Sequence, residues 1–261
     1  MCEGYNVRQL RQQSGHGTRT LWRIIHHWLD QTPPSLGDLS GYRYLLIDCT
    51  YLRGRTTPVS AVMDAQTNRL VAGLYGVHEG SRGMAAFCAQ LARCGLAPVG
   101  VTTDGNPQLL RYLRAQWPTV TLQRCLVHIQ RQGLSWCRHR PKRPDAQHLR
   151  ELFLQLRTVR TPVDRDRWID QFIDWEIQYG WIVDLTPEHG RVFSDLKRAR
   201  SLIVHALPHM FHYLDDPNIV SHTNGLEGYF SRFKMRYRQH RGLSRDRRGA
   251  YVHWYLHLCP K

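Results

Sequence analysis

From residue 6 onward, apolar residues recur at helical spacing among polar ones. In NVRQLRQQSGHGTRTLWRIIHHWL, Val7 and Leu10 predict the buried side of one short helix. Leu21, Ile24, Ile25 and Trp28 predict that of a second, with Ser-Gly-His-Gly between them. The second helix then turns Arg19, Thr20, Arg23 and His27 outward. This is a helix-turn-helix pattern, whose second helix enters a DNA groove. A helical hairpin that merely packs on a core is the alternative. QTPPSLGDLSG follows as a linker of turn formers.

At residue 43 the period shortens to two. RYLLIDCTYL predicts a strand, and TPVSAVMDAQTNRLVAGLYGV two more, joined as a hairpin around DAQTNR. SRGMAAFCAQLARCGL returns to helical spacing, with Met84, Phe87, Cys88 and Leu91 inward. APVGVTTDG predicts a strand ending on an acid, PQLLRYLRAQW a helix, and TVTLQRC a fifth strand. Three antiparallel strands followed by helix, strand, helix, strand predict an α/β fold with a mixed sheet and the order of an RNase H-like core. By itself that topology serves several functions.

Residues 137–215 predict an all-helical stretch. Leu149, Leu152, Phe153 and Leu156 share a face, Thr161 caps a helix that starts with Pro162, and Trp168, Phe172 and Trp175 read as core. A further helix breaks near Pro208. After the loop DDPNIVSHTN, Leu226, Phe230, Phe233 and Tyr237 mark the buried stripe of a last basic helix. The predicted organisation is a helix-turn-helix segment (1–34), a linker (35–42), the first part of the α/β core (43–136), a helical insertion (137–215) and the last part of the core (216–261).

Composition narrows the function. Hydrophobic residues make up 42% and charged residues 22%, enough for a globular core. The net charge is 36 − 21 = +15, which points to a polyanionic partner, with a solvated basic surface as the plain alternative. Between residues 221 and 248, eight Lys or Arg accompany two acids. MCEGYNVRQLRQQ lacks the apolar stretch of a signal peptide, and no apolar run approaches membrane-spanning length. Seven irregularly spaced cysteines speak against a disulfide framework and fit a reducing, cytoplasmic (nucleoid-associated) setting.

Three acids are candidates for chemistry. Asp48 interrupts the apolar run LLIDCTYL, where a buried carboxylate needs a partner or a metal. Asp104 ends a predicted strand, and if the first and fourth strands are neighbours both acids reach one edge of the sheet. A third carboxylate from a helix would complete an oxygen-rich site for two Mg²⁺ or Mn²⁺ ions acting on a phosphodiester. Each acid also has a structural reading: Asp48 paired with an arginine, Asp104 capping the next helix, and Asn224-x-x-Glu227 forming a capping box. On the last helix, Lys234 and Arg238 fall on the side of Glu227, and Arg232, Arg236 and Arg241 are expected to widen that basic surface. Cys125-x-x-His128, with Cys137 and His139 downstream, has the wrong spacing for an ordinary structural zinc site. Cys125 and His128 are expected to support the acid site or to contact DNA.

GVTTDGNPQLLRYLRAQWPTVTLQRCLVHIQRQ, VAGLYGVHEGSRGMAAFCAQL and SHTNGLEGYFSRFKMRYRQHRGLS together resemble mutator-type transposases of insertion sequences and mutator-like elements, over about residues 43–257. The resemblance implies that Asp48, Asp104 and Glu227 fill the positions of a DDE metal-binding set, with Asn224 beside the third acid. It also implies cleavage and strand transfer at terminal inverted repeats, joining to double-stranded target DNA, and action as a homodimer. Members of that family generally carry a longer N-terminal DNA-binding region, so a truncated copy is one alternative. The others are an idle, domesticated DNA-binding regulator and an RNase H-like nuclease without strand transfer.

Overall fold

The computed structural model describes residues 3–52, 56–185, 191–240 and 242–261. In chain order, helices α1 (Val7–Ser14) and α2 (Thr18–Leu29) precede strands β1 (Tyr44–Tyr51), β2 (Pro58–Asp64) and β3 (Leu70–Tyr75). Then come α3 (Arg82–Arg93), β4 (Gly100–Thr103), α4 (Pro107–Gln116) and β5 (Thr121–Arg124). The remainder is helical: α5 (Leu126–Cys137), α6 (Pro144–Gln155), α7 (Pro162–Trp175), α8 (Trp181–Leu185), α9 (Arg191–Ala206), α10 (Asn224–Arg238) and α11 (Arg245–Leu258). The strands form a mixed sheet in the order β3-β2-β1-β4-β5, so β1 and β4 are neighbours. The β1–β2 and β2–β3 pairs are antiparallel. At the hairpin expected around DAQTNR, Asp64 Oδ2 accepts from Thr67 N–H at 2.9 Å, and Asn68 takes a φ of 53°.

Two compact units divide the chain. The first comprises 1–101, 106–120 and 224–261. All seven residues of β2 are buried, as expected for a strand with both faces covered. The inward residues expected for α3 (Met84, Phe87, Cys88, Leu91) and for α10 (Leu226, Phe230, Phe233, Tyr237) are all buried. In the α1–α2 hairpin the Asn6/Gln9 capping box starts α1, and Gly15, at φ 70°, ends it. The expected apolar face of α2 is only partly covered. Leu21 and Leu29 are buried, whereas Ile24 and Trp28 remain 42% and 50% exposed. They line an apolar cavity of about 640 Å³ with Trp22, Leu243 and Trp254. The short α1 brings only Val7 and Leu10 to this cavity, too little to fill it. Against α11, Trp28 meets Trp254 edge-on at 5.8 Å, and Trp254 Nε1 donates to Gln31 O.

The second unit comprises 102–105 and 121–223. Its core includes Leu149, Leu152, Phe153 and Leu156, with Trp168 and Phe172, then Phe172 and Trp175, in stacked pairs. Thr161 caps α7 through Asp164 N–H, with Pro162 in the first turn. A π-helical turn, Glu176–Gly180, joins α7 to α8, and Arg200 grips it through Glu176 and Asp184. Helix α9 ends at Ala206, ahead of a 3₁₀ turn containing Pro208. Among the described residues, no helix is long and apolar enough to cross a membrane.

Candidate active site and nucleic-acid surface

Asp48 lies within β1, opposite Ala61 of β2, and is only 7% exposed. Its Oδ1 accepts from Cys49 N–H at 2.7 Å. Burial pushes the Cys49 thiol up to about 11, and the charges of Glu79 and Asp48 add to the rise. Glu79 is 6% exposed, in the turn between β3 and α3. It was missed in the sequence because glycine and polar neighbours in Val-His-Glu-Gly-Ser suggest an open turn.

Glu227 occupies the first turn of α10. Two residues earlier, Gly225 marks a close approach to the sheet. A Cβ there would lie 3.1 Å from Met63 Sδ and 3.3 Å from Leu46 Cδ1, and would overlap Asn68 Oδ1. Helix α10 packs on β1 and β2. Leu46 and Asp48 are two residues apart on one strand, so their side chains share a face. The face bearing Asp48 is therefore the face that α10 covers, and the first unit brings the Asp48 strand and the Glu227 helix together.

Asp104 directly follows β4 and is placed in the second unit by a different device. Gly105 adopts φ 88°, and the Arg124 side chain lies where a Cβ at Gly105 would stand. Arg124 Nε donates to Asp104 O at 3.1 Å. Burial pulls the Arg124 pKa down, while the charges of Asp104 and Cys125 oppose the fall. The capping of α4 is done by Asn106, whose Oδ1 accepts from Gln108 and Leu109 N–H at 3.0 and 3.3 Å. The reading of Asp104 as that cap is thereby corrected. Among the described residues, no three His, Cys, Asp or Glu form a group that could hold a metal ion.

Cys125 and His128 converge on Thr223 within the second unit. Cys125 is fully buried and accepts from Thr223 N–H at 3.4 Å and Thr223 Oγ1 at 3.6 Å. Thr223 Oγ1 is 3.5 Å from His128 Nδ1. Burial raises the Cys125 thiol pKa, but the hydrogen bond and charge of His128 outweigh it and the net shift is downward. Nearby, Leu126 N–H donates to Ser221 O and Thr102 Oγ1 to Val220 O, so residues 220–223 are held at several points. Cys137 ends α5, about 18 Å along the axis from Cys125 at 1.5 Å per residue. Asn224 is the first residue of α10.

The expected DNA-facing cations separate into three places. Arg19 and Arg23 are exposed and line a concavity on α2 with Thr20, His26, His27 and Asp30. At about 100° per residue, Lys234 and Arg238 fall on the Glu227 flank of α10. Arg232 and Arg236 fall on the opposite flank, across the buried stripe of Leu226, Phe230, Phe233 and Tyr237. By that spacing they face away from the side of α10 that carries Glu227. Arg241 lies outside the described residues.

Residues 30–196 match the profile of a family described as Transposase, Mutator family. The match includes Asp48, Asp104, Cys125 and His128, while Glu227 lies beyond its end. A curated protein of Corynebacterium diphtheriae, described as a probable transposase for insertion sequence element, is 31% identical over 77 residues. That alignment covers 29% of this chain and 22% of the relative's length.

Proposed function

The chain belongs to the Mutator family of transposases, and on that premise we propose that it cuts and joins DNA at the ends of an insertion sequence. Asp48, Asp104 and Glu227 act as the DDE acids of an RNase H-like core, and α1–α2 acts as a short helix-turn-helix reader of double-stranded DNA. The observation that carries this reading is the close approach at Gly225, which brings the helix of Glu227 onto the sheet face of Asp48.

All three side chains are carboxylates, the donor type a hard divalent cation takes, although the described residues do not gather them into one metal-holding group. Bound Mg²⁺ or Mn²⁺ would supply charge stabilisation to the attacking and leaving oxygens of an in-line displacement. The chain's own residues do the rest. The carboxylates would hold the ions, and Lys234 and Arg238, on the Glu227 flank, hold the phosphodiester backbone. In the first step a water oxygen bonds to phosphorus and the bond to the 3′ oxygen breaks, leaving a 3′-hydroxyl and a 5′-phosphate. In the second, that 3′-hydroxyl attacks a target phosphorus and displaces the target's own 3′ oxygen, which leaves as a hydroxyl. Cys125 and His128 act as positioning residues, through Thr223, on the segment that leads into α10 and Asn224. Two copies act together, one on each terminal inverted repeat.

The test uses purified protein, Mg²⁺ or Mn²⁺, and duplexes carrying the inverted repeats that flank the gene, with nicked and joined strands resolved on denaturing gels. Asp48→Ala, Asp104→Ala and Glu227→Gln should each abolish both products while leaving duplex binding intact. Wild-type cleavage by any of the three would overturn its assignment. Nicking without joining would select the nuclease alternative, and binding without either would select the regulator.

A further inference from the structure

The flank of α10 opposite Glu227 has a pocket of its own. It has a volume of about 380 Å³, and its wall includes Arg69, Arg232, Arg236, Tyr255 and Pro260. Three of its lining side chains are arginines, and none is Asp or Glu. Arg69 comes from the residue just before β3, and Arg232 and Arg236 stand one turn apart on α10. All three belong to the first unit.

Among the described residues, neither Arg69, Arg232 nor Arg236 pairs with a carboxylate. Arg236 Nη1 donates to the backbone oxygen of Glu3 at 2.7 Å, which orients the guanidinium and leaves its charge intact. Gly4, at φ 71°, makes room for that side chain, since a Cβ would lie 2.7 Å from Arg236 Cδ. Arg232 Nη1 lies over Gly228, 3.6 Å from where a Cβ would be, an ordinary contact distance. Burial raises the Tyr255 phenol pKa while the charges of Arg236 and Arg232 pull it down, so both guanidiniums act on the same wall. Like charges converging on one hollow repel unless an anion lies between them. Guanidinium forks suit phosphate oxygens in particular.

We propose that the Arg69–Arg232–Arg236 pocket is a second backbone-phosphate site for duplex DNA, taking phosphates other than those held beside Glu227. The inference rests on the transposase reading, in which the chain holds duplex DNA beside Glu227. The two flanks of α10 are separated by a helix about 10–12 Å across, whereas adjacent phosphates of one strand advance about 3.4 Å along the duplex axis. One phosphate therefore cannot serve both flanks.

The test measures binding of a random-sequence duplex by fluorescence anisotropy between 50 and 200 mM salt, using the full chain and checking each variant by thermal unfolding. Arg69→Ala and Arg232→Ala should each weaken binding and lower the slope of log affinity against log salt by about 0.9. Across that fourfold salt range, the lost contact makes the fall in affinity about 3.5-fold smaller. Arg69→Lys should recover part of the affinity. Lys234→Ala, on the other flank, should lower the slope by a similar amount, and Arg69→Ala with Lys234→Ala should lower it by the sum. Inorganic phosphate is titrated in parallel. If Arg69→Ala and Arg232→Ala weaken phosphate binding alone, or change neither ligand, the proposal is overturned. If Arg69→Ala loses duplex affinity while the wild-type protein cuts no DNA, the pocket stands and the transposase chemistry falls. If the wild-type protein cuts normally and Arg69→Ala binds normally, the reverse holds.

Discussion

Gly225→Ala is a direct probe of how the fold sets Glu227. The added Cβ would stand 3.1 Å from Met63 Sδ and 3.3 Å from Leu46 Cδ1, and closer still to Asn68 Oδ1. Restoring ordinary contacts with the first two needs shifts of a few tenths of an ångström, and Asn68 must move further. Met63 and Leu46 are buried in the sheet and cannot swing away, so the first turn of α10 has to lift. Overpacking of this kind costs about 1–3 kcal/mol. Alanine's better helix propensity returns at most about 1 kcal/mol, leaving a net loss of roughly 0–2 kcal/mol. In a chain of this size that lowers the unfolding midpoint by a few degrees, at about 2–4 °C per kcal/mol. Catalysis should also slow, by less than the hundredfold or so that a misplacement of about 1 Å can cost, because the shift is a few tenths of an ångström. The assay compares thermal unfolding with the rate of end nicking. Asn68 sits at φ 53°, so Asn68→Gly keeps the backbone while removing the most crowded atom. Adding it to Gly225→Ala should restore much of the lost rate. Wild-type nicking by Gly225→Ala, or no recovery in the double variant, would refute the argument that this contact positions Glu227.

On α2, Arg19→Ala and Arg23→Ala should weaken binding to the element's own ends more than binding to random duplex, and equal losses on both would mean that α2 contacts backbone alone. Thr223→Val keeps the shape but removes the hydroxyl that meets Cys125 and His128. Urea unfolding should show a loss of about 1–3 kcal/mol, and an unchanged midpoint would deny the clasp any energetic role. Burial pushes the Cys88 thiol up to about 11 and Cys137 up to about 12 from an ordinary value of 9.0. Below pH 9 both thiols are protonated in the folded and unfolded chains and contribute nothing. Above it the unfolded chain releases protons that the folded chain keeps, so stability falls as pH rises from about 9 towards 11. Cys137→Ala should flatten that fall in unfolding scans, and an identical pH slope would contradict it.

Local periodicity by itself determined a good deal of this protein. The spacing of Met84, Phe87, Cys88 and Leu91, and of Leu226, Phe230, Phe233 and Tyr237, identified the buried sides of α3 and α10 because residues on one helical face share that face wherever the helix packs. Alternation marked the hairpin of β2 and β3, and Thr161-Pro162 marked the start of α7, since turn and cap chemistry acts within a few residues. Asp48 stood out as an acid in an apolar strand, which needs no knowledge of its neighbours. What covers a face is a different matter, because it depends on residues distant in the chain. Only the tertiary structure left Ile24 and Trp28 exposed beside a cavity, gave the cap of α4 to Asn106, and buried Glu79 where its charge acts on Cys49. It alone brought Arg69 beside Arg232 and Arg236, on the flank of α10 that helical spacing already separates from Lys234 and Arg238.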